Sequence, residues 1–149
     1  MPLEHKLSVI ANAMYEVISD NAGPLGLNYV GRWDEKRLPS YPAVVVSPND
    51  RVKSLRGMST FEVDISLSLW VYHGDMTVPH AVRSQQDIEL VENIEELIEQ
   101  DYTLGGTVVF GYIATQVSGI VQPTSRKSDV IAGTRMDWVA MSQRRLRAS

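Results

Sequence analysis

At 149 residues, 44% of them hydrophobic, the chain is long enough to bury one proper core and too short for two ordinary domains. Its net charge of −4 and charged fraction of 21% are ordinary, which argues against a nucleic-acid binder whose affinity rests on bulk charge. The absence of cysteine excludes disulfides, zinc ribbons and thiol nucleophiles, and fits synthesis in a reducing cytosol.

The N-terminal run Met1-Pro2-Leu3-Glu4-His5-Lys6-Leu7 lacks the basic and unbroken apolar regions of a signal peptide, and no apolar run nears the roughly 18 residues of a membrane span. Neither export by that route nor membrane insertion is expected. Leu3, Leu7, Ile10, Met14, Val17 and Ile18 share one helical stripe, which predicts a first helix over about 3–19, stopped by Asp20-Asn21-Ala22-Gly23-Pro24. Asn28–Trp33 reads as a short strand, and Asp34–Pro42 as a loop with two prolines. Ala43-Val44-Val45-Val46-Ser47 predicts an interior strand bounded by Pro42 and Pro48, which leaves Arg51, Lys53 and Arg56 clustered in a loop.

From Ser59 to Tyr72 the pattern is strict alternation. Phe61, Val63, Ile65, Leu67, Leu69 and Val71 interleave with Glu62, Asp64, Ser66, Ser68, Trp70 and Tyr72, giving one buried and one wetter face. At about 3.3 Å per residue such a strand is roughly 40 Å long. Because strands usually run to about 5–6 residues, part of it is expected to project as a hairpin arm or to join a neighbouring subunit.

An acidic helix follows, with a start either at Thr77, placing Pro79 in its first turn, or at Ser84, with Asp87 three residues on. Ile88, Val91, Ile94, Leu97 and Ile98 are expected on its buried face and Glu89, Glu92, Glu96 and Glu99 on the other. Asp101-Tyr102-Thr103-Leu104-Gly105-Gly106 ends it, since glycine reaches the left-handed cap conformation without a side-chain clash. Val108–Val121 and Thr134–Gln143 then predict a long hairpin joined by polar Gln122–Asp129, with a flexible tip near 122–133 and a basic C-terminal tail over 144–149. The order implies an α+β domain spanning 1–149: one mixed, mainly antiparallel sheet with long strands and two helices packed on one face.

Charge is separated along the chain. Asp75, Asp87, Glu89, Glu92, Glu95, Glu96, Glu99 and Asp101 stand against Arg83 alone, whereas Arg51, Lys53 and Arg56, and then Arg126, Lys127, Arg135, Arg144, Arg145 and Arg147, form basic groups. A solvated helix face and a loose tail explain such a distribution, and so does head-to-tail attraction between copies, which makes a ring when the rotation closes.

The residues supply no catalytic set. His5, His73 and His80 have no helical ligand spacing and read as exposed residues of a helix start and a turn, although Asp75 between the last two makes a metal site conceivable. Glu62 and Asp64 have the spacing of any half-exposed strand. Gly105-Gly106 and Gly111 follow a helix and precede a strand, the reverse of a phosphate-cradling loop. Trp33, Trp70 and Trp138 fit sheet packing or interface anchoring. No catalytic, cofactor-binding or metal residue is assigned.

Taken together, the helix Leu3–Ile18, the strand Tyr41-Pro42-Ala43-Val44-Val45-Val46, the strand Phe61–Tyr72, the acidic helix, its Asp101–Gly106 ending and the strand around Arg135-Met136-Asp137-Trp138-Val139 resemble the tail terminator proteins of long-tailed bacteriophages. These are also called tail completion or head-to-tail joining proteins, and the likeness covers the whole chain. It implies a structural virion protein of the tail or neck, with neither enzymatic activity nor cofactor, made in the host cytoplasm. Such proteins form a hexameric ring at the head-proximal end of the tail tube, stop its polymerisation and present the surface for the neck. The implied partners are further copies of the chain, the tail tube protein, a neck or connector protein and, in a contractile tail, the sheath terminus. DNA would pass through the lumen without sequence-specific contact, and no membrane is involved. Interface candidates are Arg51, Lys53, Arg56, Arg126 and Lys127 against neighbours or tube, and Glu89, Glu92, Glu96 and Glu99 against an adjacent basic surface. Alternatives are another neck or head-closure connector of the same particle, or a small ligand-binding α+β domain with a pocket beneath its helices.

Overall fold

A computed structural model describes residues 6–33, 40, 42–55, 60–75, 80–123 and 130–145. Helix α1, Leu7–Asp20, turns Ile10, Met14 and Ile18 inward, one on each successive turn of the 3.6-residue period, with Ala11 beside Ile10. It starts later than the expected 3, because Lys6 is extended; residues 3–5 lie outside the described residues. Asn21 closes it, its side-chain amide donating to the Val17 carbonyl (2.8 Å). A single turn, α2 (Ala22–Leu25), ends at left-handed Gly26 and leads into strand β1, Tyr29–Arg32.

Strand β2 runs from Ala43 to Leu55 and overturns the expectation that Pro48 ends it. Parallel pairing with β1 stops at Arg32↔Val46, so beyond that point no described strand pairs with that edge of β2, and a proline there removes no ladder hydrogen bond to a described strand on that side. The register with strand β3, Thr60–Asp75, slips between Pro48 and Asp50 and then continues to Leu55↔Phe61. Arg51 and Lys53 are therefore strand residues rather than loop residues, and Arg56 lies outside the described residues.

All six apolar positions of the β3 alternation, Phe61 to Val71, are buried. The great length of β3 is used inside the monomer: β2 pairs along one side and strand β5, Val130–Arg145, along the other. Strand β4, Phe110–Pro123, pairs with β5 to complete a five-stranded sheet of order β1-β2-β3-β5-β4. Among the described strand pairs only β1–β2 is parallel. The hairpin is thus longer than expected: Gln122, Pro123 and residues 130–133 are strand, 124–129 fall outside the described residues, and Arg144 and Arg145 end β5 instead of opening a tail.

Helix α3 is described over His80–Gln100, so it is already formed before the alternative start at Ser84; the other expected start, at Thr77 with Pro79 in the first turn, lies outside the described residues. Leu90, Val91, Ile94 and Ile98 are buried, but Ile88, expected on the same face, is 58% exposed. At 100° per residue Ile88 lies about 100° from the centre of the 91–94–98 stripe, whereas Asp87 lies on it. The buried faces of α1 and α3 join the inward positions of β2, β3 and β5 in one core cluster, so both long helices cover the same side of the sheet. The opposite side carries no described helix.

The α3–β4 junction is tied by a carboxylate. Asp101 accepts hydrogen bonds from the Thr103 hydroxyl (2.8 Å), the Thr103 N–H (3.2 Å) and the Gly105 N–H (2.7 Å). Leu104, Gly105 and Gly106 all have positive φ, and buried Leu104 adopts this disfavoured conformation because its side chain is drawn into the core. Beyond the turn the Gly111 N–H donates to the Tyr102 carbonyl (2.7 Å).

Candidate functional site

Because the inward positions are covered by helices, the alternate positions of the same strands form an outer face. Register places Val52, Asp64, Met141 and Phe110 in one row across four strands and Asp50, Ser66, Val139 and Tyr112 in the next. These two rows line an open, shallow concavity of about 360 Å³. Phe110 and Tyr112 stack with ring centres 6.2 Å apart, and both are exposed, as are Val52 and Val117. Exposed apolar side chains scattered singly are ordinary, but a contiguous patch on a sheet face that no described helix covers is a candidate surface for contact.

A polar brace lies beside the patch. Asp137 of β5 accepts a hydrogen bond from the Ser68 hydroxyl of β3 (3.0 Å) and another from the Thr115 hydroxyl of β4 (2.7 Å), while the Arg135 guanidinium lies 3.2 Å away. Asn49, the residue at the β2 register slip, donates to Ser68. A bulge re-aims a side chain, and here it links a fourth strand to the network. Arg135 also lies over the Trp70 ring. Ser68 is buried, so this network satisfies a hydroxyl that would otherwise be costly to bury.

His73 corrects the expectation of an exposed turn histidine. It sits in β3 at the register slip between Tyr72 and Gly74, with its side chain only 4% exposed. Its Nε2 is 2.8 Å from the Thr134 hydroxyl of β5, and its Nδ1 is 3.3 Å from Asp87 of α3. Hydroxyl, imidazole and carboxylate in line have the connectivity of a nucleophile and its base, but nucleophilic chemistry needs a hydroxyl that a substrate can reach. Thr134 is 4% exposed, which makes the set a clasp holding α3 to the sheet. The side chains of Asp75 and His80, considered with His73 for a metal, lie outside the described residues. Among the described residues no cluster of three or more His, Cys, Asp or Glu side chains suits a metal ion.

The charged candidates separate onto two elements. Glu89, Glu92, Glu96 and Glu99 are all exposed on α3, and Glu95 between them accepts a hydrogen bond from Gln116 of β4. Arg51 and Lys53 are exposed on the part of β2 that extends past β1, with the Lys53 ammonium 3.9 Å from the centre of the Phe61 ring. Arg126 and Lys127 lie outside the described residues. Trp33 is partly exposed after β1, Trp70 packs on the outer face, and Trp138 is buried in the core.

Sequence reasoning missed the His73 clasp, the Asp137 brace and the outer apolar patch. Only the first left a local signal: an acid at position 87, on the centre of an otherwise apolar stripe, needs a polar partner. No protein-family model matches the chain, and no curated protein matches it significantly in sequence.

Proposed function

We propose that this chain is a structural protein of a bacteriophage tail that assembles into a ring, six-membered by resemblance, on the head-proximal end of the tail tube. There it ends tube polymerisation and offers the surface to which a neck or connector protein attaches. The observation that carries the reading is the separation of exposed charge: cations Arg51 and Lys53 on an extended strand arm, acids Glu89, Glu92, Glu96 and Glu99 on a helix. Surfaces of opposite sign on one molecule favour heterologous contacts between copies, and these close into a ring when the rotation between copies closes. The outer face, which no described helix covers, and its apolar concavity support the same reading, since a face of this kind is suited to contact rather than to water. The arm cations meet a neighbouring subunit or the tube, and the helix acids meet a basic surface. No helix among the described residues is long and apolar enough to cross a membrane.

Negative-stain imaging of the purified chain at high concentration, with and without tail tubes from the same source, tests the proposal. Six-fold rings, or a cap on one end of each tube, are expected. A persistent monomer that ignores tubes refutes it, and binding to the portal-side connector alone moves the assignment to a neck protein. Charge reversal at Arg51, Lys53 and Arg56 is expected to impair assembly while leaving the fold intact; normal assembly of that variant removes the arm from the proposal.

A further inference from the structure

The arm formed by residues 50–55 of β2 and 60–66 of β3 presents different chemistry on its two sides. Arg51, Lys53 and Leu55 pair with the inward residues Ile65, Val63 and Phe61, so they lie on the helix side of the sheet. Asp50 and Val52 pair with Ser66 and Asp64 on the outer side. Leu55 (67% exposed) and Val52 (55%) are the two most exposed of the large hydrophobic side chains on β2, one on each side.

We propose that the arms of successive copies stack face to back: the helix-side surface of one arm seats in the outer concavity of the next copy. Arg51 and Lys53 then meet Asp50 and Asp64, and Leu55 enters the apolar hollow beside Val52, Phe110 and Tyr112. The occupant is a second copy of this chain, and charge complementarity selects it. The cations are two residues apart on one strand, about 6.7 Å, and the carboxylates are diagonal neighbours across the β2–β3 pair, about 7–8 Å. Pairs of matching sign and spacing can therefore be met together. Each surface is self-repelling in sign and attractive to the other, so the contact runs head to tail in one direction, the kind that closes into a ring. The inference gives the proposed ring its contact and rests on that reading.

Sedimentation velocity over a wide concentration range on the full chain tests it. The double variants D50K/D64K and R51E/K53E are each expected to weaken self-association at least tenfold with an unchanged circular dichroism spectrum, and V52D likewise. Mixing the two double variants should restore assembly, because one then carries only basic and the other only acidic arm surfaces. The fourfold variant with both signs exchanged should also assemble. Self-association insensitive to these changes, or two weakened variants that fail to rescue each other, overturns the arm contact and leaves the ring reading standing. A wild-type chain that stays monomeric throughout overturns the arm contact as a self-association surface, and one that also ignores tail tubes overturns both.

Discussion

Gly111 is the position where a single methyl group should do the most damage. A Cβ added there would lie 2.3 Å from the Trp138 Cζ2, 2.6 Å from Cε2 and 2.8 Å from Nε1, all far inside van der Waals contact. The indole is 1% exposed in the centre of the core and cannot swing away, so the strands β4 and β5 must separate or the ring must leave its rotamer. Overpacking of this kind costs about 1–3 kcal/mol. Alanine in place of glycine within a strand returns about 0.5–1 kcal/mol of backbone entropy. With the clash at the upper end of its range, Gly111→Ala should destabilise by about 2 kcal/mol, or about 4–8 °C in Tm for a domain near this size. Urea denaturation at one fixed protein concentration measures it, since self-association would otherwise shift the midpoint. The smaller side chain of Trp138→Leu should absorb part of the loss, giving a coupling of about 1 kcal/mol or more in a double-mutant cycle. Gly31→Ala is the control: its Cβ would meet the ring of Tyr29, a partly exposed side chain that can shift, and the change should be within about 0.5 kcal/mol of neutral. A Gly111→Ala protein as stable as wild type would refute the packing argument.

Three further outcomes are expected. His73→Ala should cost about 1–3 kcal/mol by removing the imidazole between buried Thr134 and Asp87, and hydrogen exchange should quicken in the N-terminal turns of α3; unchanged protection there would refute the clasp. Asp137→Ala should cost about 2–3 kcal/mol in urea, because Ser68 and Thr115 both lose their acceptor, whereas Asp137→Asn, which keeps one carbonyl oxygen, should cost about half as much; equal losses would show that the brace does not depend on two acceptors. Asp101→Ala should cost about 1 kcal/mol at neutral pH. The Thr103 hydroxyl and then the Gly105 N–H hold the Asp101 carboxyl below its ordinary value, so its folded pKa lies under the unfolded one. The stabilisation is therefore complete above the unfolded value of about 3.9 and is lost as pH falls through the folded value. The gap between wild type and variant should narrow in strong acid; a gap that widens there would refute the assignment.

What could be read in the sequence was what burial on one side dictates locally. The β3 alternation survives intact because that strand lies between β2 and β5 with one face against the core, so every second residue is forced inward. Pro48 misled because proline ends a strand only where its N–H would be needed, and no described strand pairs with β1's side of β2 beyond Val46. That one residue hid more than half of β2 and placed Arg51 and Lys53 in a loop. The polar run after Val121 misled in the same way: cross-strand pairing carries β4 through Gln122 and Pro123, opposite Ile131 and Val130 of β5. Ile88 and His73 share one explanation. The long-range pair between His73 and Asp87 claims the centre of the α3 stripe, and neither partner announces the other across 14 positions of chain. The outer concavity draws on four strands, so only the register reveals it.

The same register argues about how copies can meet. Both edges of the sheet are interrupted: β2 by Pro48 and the slip at Asn49, and β4 by slips between Ile113 and Thr115 and between Val117 and Ile120. Proline, bulges and charged side chains such as Arg51 and Lys53 are devices that discourage edge-to-edge pairing. An expectation that the long strands continue into a neighbour's sheet thus meets edges poorly suited to a regular ladder. The faces offer the opposite. The outer face concentrates Val52, Phe110, Tyr112, Val139 and Met141 in one hollow, and Asp137 braces four strands beside it into a fixed surface. A rigid, partly apolar face loses less conformational entropy on association than an edge that must first be straightened. If copies assemble as proposed, face-directed contact, with charge setting its direction, is therefore the mode this sheet favours over edge pairing.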